Sequence, residues 1–191
     1  MSERVVHTPA EARGDAPPRG RLSGRRILVL GGGQMDIGEA DTPIGNGRAI
    51  SVLCAREGAA VAVADRDLAS AVATVSLIEK ENNQAFAIQA DATKEDDIVR
   101  MIGEAHQGLG SLDGIVLNVG IGAGGAWLGG TTAESWDKVF SINLRSHMLT
   151  VKHAMAKLED ASSIVFISSI AGLTAGSRLP AYDSSKAALF G

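Results

Sequence analysis

From Arg25 onward the chain alternates between short, unbroken apolar runs and longer stretches whose apolar residues recur every three or four positions. The runs are RILVLG (26–31), AVAVAD (60–65), AFAIQA (85–90), DGIVLN (113–118) and SIVFIS (163–168). Unbroken runs of this length suit strands covered on both faces, where neither side meets water. The segments with helical spacing lie between them, at 47–58, 67–82, 94–108 and about 132–159. Strand and helix in strict alternation predict an α/β fold. The expected form is a Rossmann-like, doubly wound parallel sheet with helices on both faces, because parallel neighbours need crossovers and crossovers are right-handed. Ligands on such a sheet bind beyond the carboxyl ends of the strands, where strand order reverses.

Composition changes this picture only at the N-terminus. Residues 1–22 are rich in Pro, Ala and Arg and carry no apolar stripe, so they are expected to form a disordered tail, with one domain over 23–191. The tail lacks the apolar middle of a secretory signal, and Glu3, Glu11 and Asp15 argue against a transit peptide. The rest is ordinary for a soluble globular chain of 191 residues, 45% hydrophobic and 21% charged, and cytoplasmic placement is expected. A net charge of −4 gives no electrostatic footprint for nucleic acid. No apolar run reaches the roughly 18 residues of a membrane helix. The single cysteine, Cys54, excludes an internal disulfide and a multi-cysteine metal site.

The glycines after the first run carry the first chemical signal. A helix N-terminus attracts anions through its unpaired amides and its positive dipole end. Pro43 cannot lie inside a helix, so the first one starts after it, flanked by Gly45 and Gly47, while Gly31 turns the chain at the strand end. Gly31, Gly45, Asn46 and Gly47 are therefore expected to form one phosphate loop. A glycine cluster alone is weak evidence, since a plain turn explains it equally well. Asp65 strengthens it, ending the second run 18 residues after Gly47, where a dinucleotide site needs an acid for the adenosine ribose. Its charge would repel the extra phosphate of NADP by roughly 4 kcal/mol at about 4 Å and intermediate dielectric, which favours NAD. Arg66 beside it weakens that preference, so NADP stays as the lesser option. The acidic stretch Gln34 to Pro43, with Asp36, Glu39 and Asp41, reads as a solvated excursion from the loop.

The second signal is YDSSK, which holds the only tyrosine of the chain. Tyr182 and Lys186 stand four apart, hence on one helical face. A cation at about 4–6 Å favours phenolate and could bring a phenol down by roughly 1–3 pH units, making a usable acid/base. Ser168 and Ser169 end the fifth run at the ligand edge of the sheet, where a hydroxyl can donate to a carbonyl oxygen. Taken singly, each has a bland explanation, a solvated helix face or a turn. His147 and His153 are six apart on one helix, face different ways and look structural or solvated. Trp127, in the glycine-rich stretch 120–130, is either packing or an apolar pocket wall.

Order and spacing together resemble the short-chain dehydrogenase/reductase family, in its simple single-domain branch, over about 25–191. The family's T-G-x-x-x-G-x-G falls on Leu30, Gly31, Gly45, Asn46 and Gly47, with thirteen residues between the first two glycines where the family usually has three. The segment ADAT resembles the stretch whose Asp contacts adenine, here Asp91 with Ala92. LNVG stands where the family has N-N-A-G, matching at Asn118 and Gly120. ESWDKVFSINL is similar to the segment ending in the family's catalytic Asn, here Asn143. The family's Ser lies thirteen residues before its Tyr, which selects Ser169.

The resemblance implies an NAD(P)-dependent oxidoreductase that interconverts a secondary alcohol and a ketone. Tyr182 would be the acid/base. Lys186 would assist it and hold the nicotinamide ribose. Ser169 would polarise the carbonyl, and Asn143 would hold a proton-relaying water or, more plainly, kink its helix. The family continues through further strands where this chain stops at Gly191, so the fold is expected to lack the family's last strands. A homodimer or homotetramer is expected if the chain is completed. The alternatives are a non-catalytic dinucleotide-binding sensor or partner subunit and, more weakly, an extended-branch epimerase, which prefers G-x-x-G where this chain has G-x-G.

Overall fold

The computed structural model describes residues 10–35, 43–174 and 176–191. Five parallel strands form one sheet in the order β3-β2-β1-β4-β5, with β1 Arg26–Leu30, β2 Ala60–Asp65, β3 Ala85–Gln89, β4 Leu112–Leu117 and β5 Leu158–Phe166. The strand order reverses at β1, which pairs with β2 on one side and β4 on the other. Its last residue, Leu30, stands in register with both Ala64 and Leu117. The crevice expected of a doubly wound sheet therefore opens above Leu30.

Period-two alternation within the strands sorts the core into two layers. Leu28, Leu30, Ile115 and Leu117 pack with Ile98, Met101 and Leu149 on one face. Ile27, Val29, Val61 and Val63 pack with Val52, Val75 and Ile78 on the other. The first layer is covered by α4 (Glu95–Leu109) and α6 (Ser146–Ala154), and the second by α2 (Asn46–Arg56) and α3 (Leu68–Lys80). The remaining α-helices among the described residues are α5 (Ala133–Phe140) and α7 (Pro180–Ala187), with a short first helix, α1, at Ala10–Arg13.

Two expected elements differ. The helix expected over about 132–159 is three pieces: α5, a π-helical turn Ser141–Arg145, and α6. It begins where Thr132 and Ser135 cap each other reciprocally. Its tail, from Leu158, belongs to β5. That strand starts five residues before the apolar run, because backbone pairing rather than hydrophobicity extends it. Leu158 pairs with Leu112 and Ser163 with Gly114, so the polar residues between them bulge outward, with Ala161 at φ 61°.

Where it is described, the expected tail is in contact with the domain. Arg21 donates from its backbone and side chain to Glu57, which holds that carboxylate down at about 2, and Leu22 packs against the core. Among the described residues no helix is long and apolar enough to cross a membrane.

Candidate active site

The glycine turn is built from backbone contacts that leave no room for side chains. Gly31 has φ 79°, and a Cβ there would lie 2.8 Å from the Val119 amide nitrogen. A Cβ on Gly47 would fall 1.8 Å from the Gly31 carbonyl oxygen. Asn118 locks the same carbonyl by donating to it from Nδ2 at 2.8 Å. The turn is thus pinned between the ends of β1 and β4, and α2 starts immediately beyond Gly45.

The acidic excursion leaves this turn in place. Asp36, Glu39 and Asp41 lie outside the described residues, but both feet of the excursion are fixed. Gln34 accepts from the Gly45 amide through Oε1 at 3.1 Å, and its own amide donates to Ser70 Oγ at 2.6 Å. Asp65 accepts from the Gly33 amide at 3.0 Å and from the Asp67 amide at 3.1 Å. A carboxylate offers about four lone-pair sites, so Asp65 braces the loop and still has capacity for ribose hydroxyls. The inserted loop is closed at its base, with Gly31 and Gly45 at the same helix mouth.

The β4–β5 side of the cavity is organised around Lys186, which is 4% exposed. Burial lowers its pKa from the ordinary lysine value. Its ammonium donates to the Ile167 carbonyl at 2.7 Å and lies 5.9 Å from the centre of the Tyr182 ring. Gly120 is small because of it: a Cβ there would sit 3.1 Å from Lys186 Nζ and 3.5 Å from Asn143 Oδ1. Asn143 lies in the π-helical turn, fully buried. Its Oδ1 accepts from the Ile121 amide at 2.8 Å, while Nδ2 donates to the Ile121 carbonyl at 2.9 Å and to Ser185 Oγ at 3.0 Å. Both amide hydrogens are committed, so this side chain clasps the backbone after β4 to α7 rather than offering a donor to a water. A single π turn inside an α-helix commonly marks a functional site.

The two serines differ in use. Ser168 lines the cavity and donates to the Lys186 carbonyl at 2.8 Å. Ser169, the next residue, is half-buried and accepts from the Ala171 amide at 3.2 Å. Ser168 thus spends its proton on α7, whereas Ser169 retains its own.

A single cavity of about 590 Å³ runs across the strand ends. Of the residues singled out in the sequence, it brings together Gly31, Gly45, Asn46, Gly47, Asp65, Arg66, Asp91, Ala92, Asn118, Gly120, Tyr182 and Lys186. Asn143, fully buried, and Ser169, half-buried beside Ser168, are not among its lining residues. Asp91 is held below the ordinary aspartate value: burial pushes it up, but hydrogen bonds from Thr93, with Lys94 and Arg66 nearby, outweigh that. Sequence reasoning missed Gly33, Gln34 and Ser70, whose roles come from contacts across the insertion. It also missed Ile121 and Ile167, which no motif singles out, while Ser168, named beside Ser169 at the end of the fifth run, lines the cavity. The cradle that a Cβ would fill at Gly31 and Gly47, beside an acid at the end of β2, fits a dinucleotide.

Trp127 is 63% exposed and lies under the Arg178 guanidinium at 5.7 Å. His153 contacts Glu95 at 2.7 Å, whereas His147 is wholly buried.

Comparison with known proteins agrees with this geometry. Residues 42–191 match the model of the short chain dehydrogenase family. The chain is 33% identical over 171 residues to 2-(S)-hydroxypropyl-CoM dehydrogenase 3 of Xanthobacter autotrophicus, covering 88% of this chain and 63% of that protein. It is 35% identical to hydroxynaphthalene reductase arp2 of Aspergillus fumigatus, over 89% of this chain and 59% of that one. A short chain dehydrogenase of Burkholderia cenocepacia, solved in complex with NADP, superposes with a TM-score of 0.77 at 30% identity, covering 88% of this chain and 65% of that chain. The chain therefore spans less than two thirds of the length of these proteins.

Proposed function

The chain belongs to the short-chain dehydrogenase/reductase family, and on that premise we propose that it serves hydride transfer between a secondary alcohol or ketone and a nicotinamide dinucleotide. The observation that carries the reading is the shared cavity: the glycine turn, Asp65 and the Tyr182–Lys186 pair line one continuous space. Gly31, Gly45, Asn46 and Gly47 would hold the pyrophosphate at the mouth of α2. Asp65 would take the adenosine ribose, Asp91 and Ala92 the adenine, and Asn118, Gly120 and Lys186 the nicotinamide half. When bound, the nicotinamide gives or takes the hydride.

Within that arrangement Tyr182 exchanges the proton with the substrate oxygen. Lys186 supplies positive charge beside the phenol, undiluted by solvent because it is buried. Ser169 donates its remaining proton to the substrate oxygen. Ser168 is excluded from that role by its bond to the Lys186 carbonyl. Asn143 acts by position, fixing Ile121 and α7 relative to each other.

Asp65 favours NAD. Arg66 lines the same cavity, and the Burkholderia relative holds NADP, so both cofactors belong in the test. Association into a homodimer or homotetramer belongs to the same reading; the exposed Met148 and Met155, on and just after α6, offer an apolar face for it. The test is a spectrophotometric screen with NAD and NADP against a panel of secondary alcohols and ketones, run beside Tyr182→Phe. Turnover that the variant loses supports the reading. Turnover that persists in the variant removes the acid/base assignment, and nucleotide binding with no turnover on any substrate favours a sensor instead.

A further inference from the structure

His147 is the one described residue whose buried side-chain polar atoms have no hydrogen-bond partner: both ring nitrogens are unpaired in a side chain with no exposed surface. Native proteins rarely leave such groups orphaned, since each costs roughly 1–3 kcal/mol. The proton-relaying water expected at Asn143 finds no free amide hydrogen there. His147 follows Asn143 by four residues, in the first turn of α6 just beyond the π-helical segment.

Its neighbours tie it to Lys186. The imidazole interacts with the backbone of Val119, which does not reach hydrogen-bond geometry, and its ring centre is 5.9 Å from that of Phe166. Lys186 contacts the next residue on each of the same two segments, approaching Gly120 and donating to the Ile167 carbonyl. The two groups therefore meet consecutive residues on two segments, Val119 and Gly120 after β4, and Phe166 and Ile167 at the end of β5, and the Lys186 charge acts on the imidazole. An ammonium has three donors, and among the described residues Lys186 directs one at a protein acceptor. A donor surplus on one side and an unpaired imidazole on the other match the polar partners a buried water requires.

We propose that His147 is a positioning residue for Lys186, holding an enclosed water between its neutral ring and the ammonium and thereby aiming Lys186 at the site. Burial and the Lys186 charge push the imidazole down to about 4, so it stays neutral and does not compete as a second cation. Among the described residues no charged group other than Lys186 acts on it. Tyr182 lies beyond Lys186, and Glu95 of α4 is taken by Lys152 and His153.

This inference rests on the oxidoreductase reading for its consequence, but its geometry can be tested without turnover. Histidine nitrogen NMR on the whole chain, with His147 identified by the signal lost in His147→Gln, should give a single neutral tautomer from about pH 5 to 8. Its ring N–H should show cross-relaxation to a bound water, and Lys186→Met should move both ring nitrogen signals. A ring that titrates in the ordinary histidine range, shows no water contact, or ignores Lys186→Met overturns the proposal. In turnover, His147→Leu should lower kcat by about tenfold or more and displace the pH profile, with the nucleotide KM within about threefold. His147→Gln, which keeps a donor and an acceptor, should recover most of the loss. A His147→Leu protein with unchanged melting temperature, kcat and pH profile defeats the proposal. Loss of activity in Tyr182→Phe beside an unaffected His147→Leu defeats it alone and leaves the broader reading intact.

Discussion

The two sides of the sheet make their contributions to the site in different ways. On the β1–β2 side the work is done by backbone. The Gly31 carbonyl, the Gly33 amide and the start of α2 stand at the ends of strands whose inner residues are wholly buried. On the β4–β5 side it is done by side chains. Asn143, Ser168 and Lys186 each cross between elements, and β5 runs as a sheet edge with Val165 and Phe166 exposed. A backbone site tolerates little change, because no rotamer can relieve a clash. A side-chain site can lose one function and keep its shape.

That contrast can be broken at several points. The largest effect is expected from Tyr182→Phe, which removes a proton-transfer group without altering shape. Its kcat should fall by roughly 10²–10⁴-fold with nucleotide affinity unchanged, as measured by steady-state kinetics beside a binding titration. Gly47→Ala should act in the opposite sense. With a Cβ 1.8 Å from a carbonyl oxygen, the turn must open, and nucleotide affinity should drop by on the order of a hundredfold in a calorimetric titration. An affinity like that of the parent protein would show that the turn is not the phosphate site.

Asp65→Ser sharpens the comparison. It removes a charge from the backbone-built side and should shift preference toward NADP by about tenfold, read as the ratio of the two kcat/KM values. It should also loosen Gly33, because Asp65 braces that amide.

The smallest effect concerns the N-terminal anchor. Glu57 is depressed in the folded protein to about 2, chiefly by its hydrogen bond from the Arg21 side chain. Its contribution is therefore complete above the ordinary carboxylate range near 4.5 and is lost as pH falls through about 2. Thermal unfolding between these limits should lose this increment in the parent protein. Arg21→Ala keeps the backbone donor but should lack the larger, side-chain share at every pH and show a flatter acid limb.

What the sequence disclosed follows the same division. The parallel sheet, its strand runs and the glycine turn were legible because apolar runs and glycines report local constraints directly. The catalytic side was legible only as spacing, Tyr182 to Lys186 and Ser169 to Tyr182. Spacing does not say where a hydroxyl points. The split uses of Ser168 and Ser169 arise from the path of α7, whose Lys186 carbonyl, 18 residues on, takes the proton of Ser168 alone. The π-helical turn at Asn143 has no periodic signature, so one long helix was the natural expectation. Nor does the apolar pattern reveal the early start of β5, since its added residues are mostly polar and only Leu158 among them pairs with β4. His147 looked like an ordinary helix residue until the fold enclosed it.

The account turns on whether a single bound nucleotide spans both halves of the crevice. Because Tyr182 is the only tyrosine of the chain, protein carrying protonated tyrosine in an otherwise deuterated background isolates its ring. Nuclear Overhauser spectra of that protein with bound NAD should then show contacts from the Tyr182 ring to the nicotinamide or its ribose, and these should vanish in Gly47→Ala. Saturated nucleotide with contacts to adenine alone, or with none to Tyr182, would contradict the shared site.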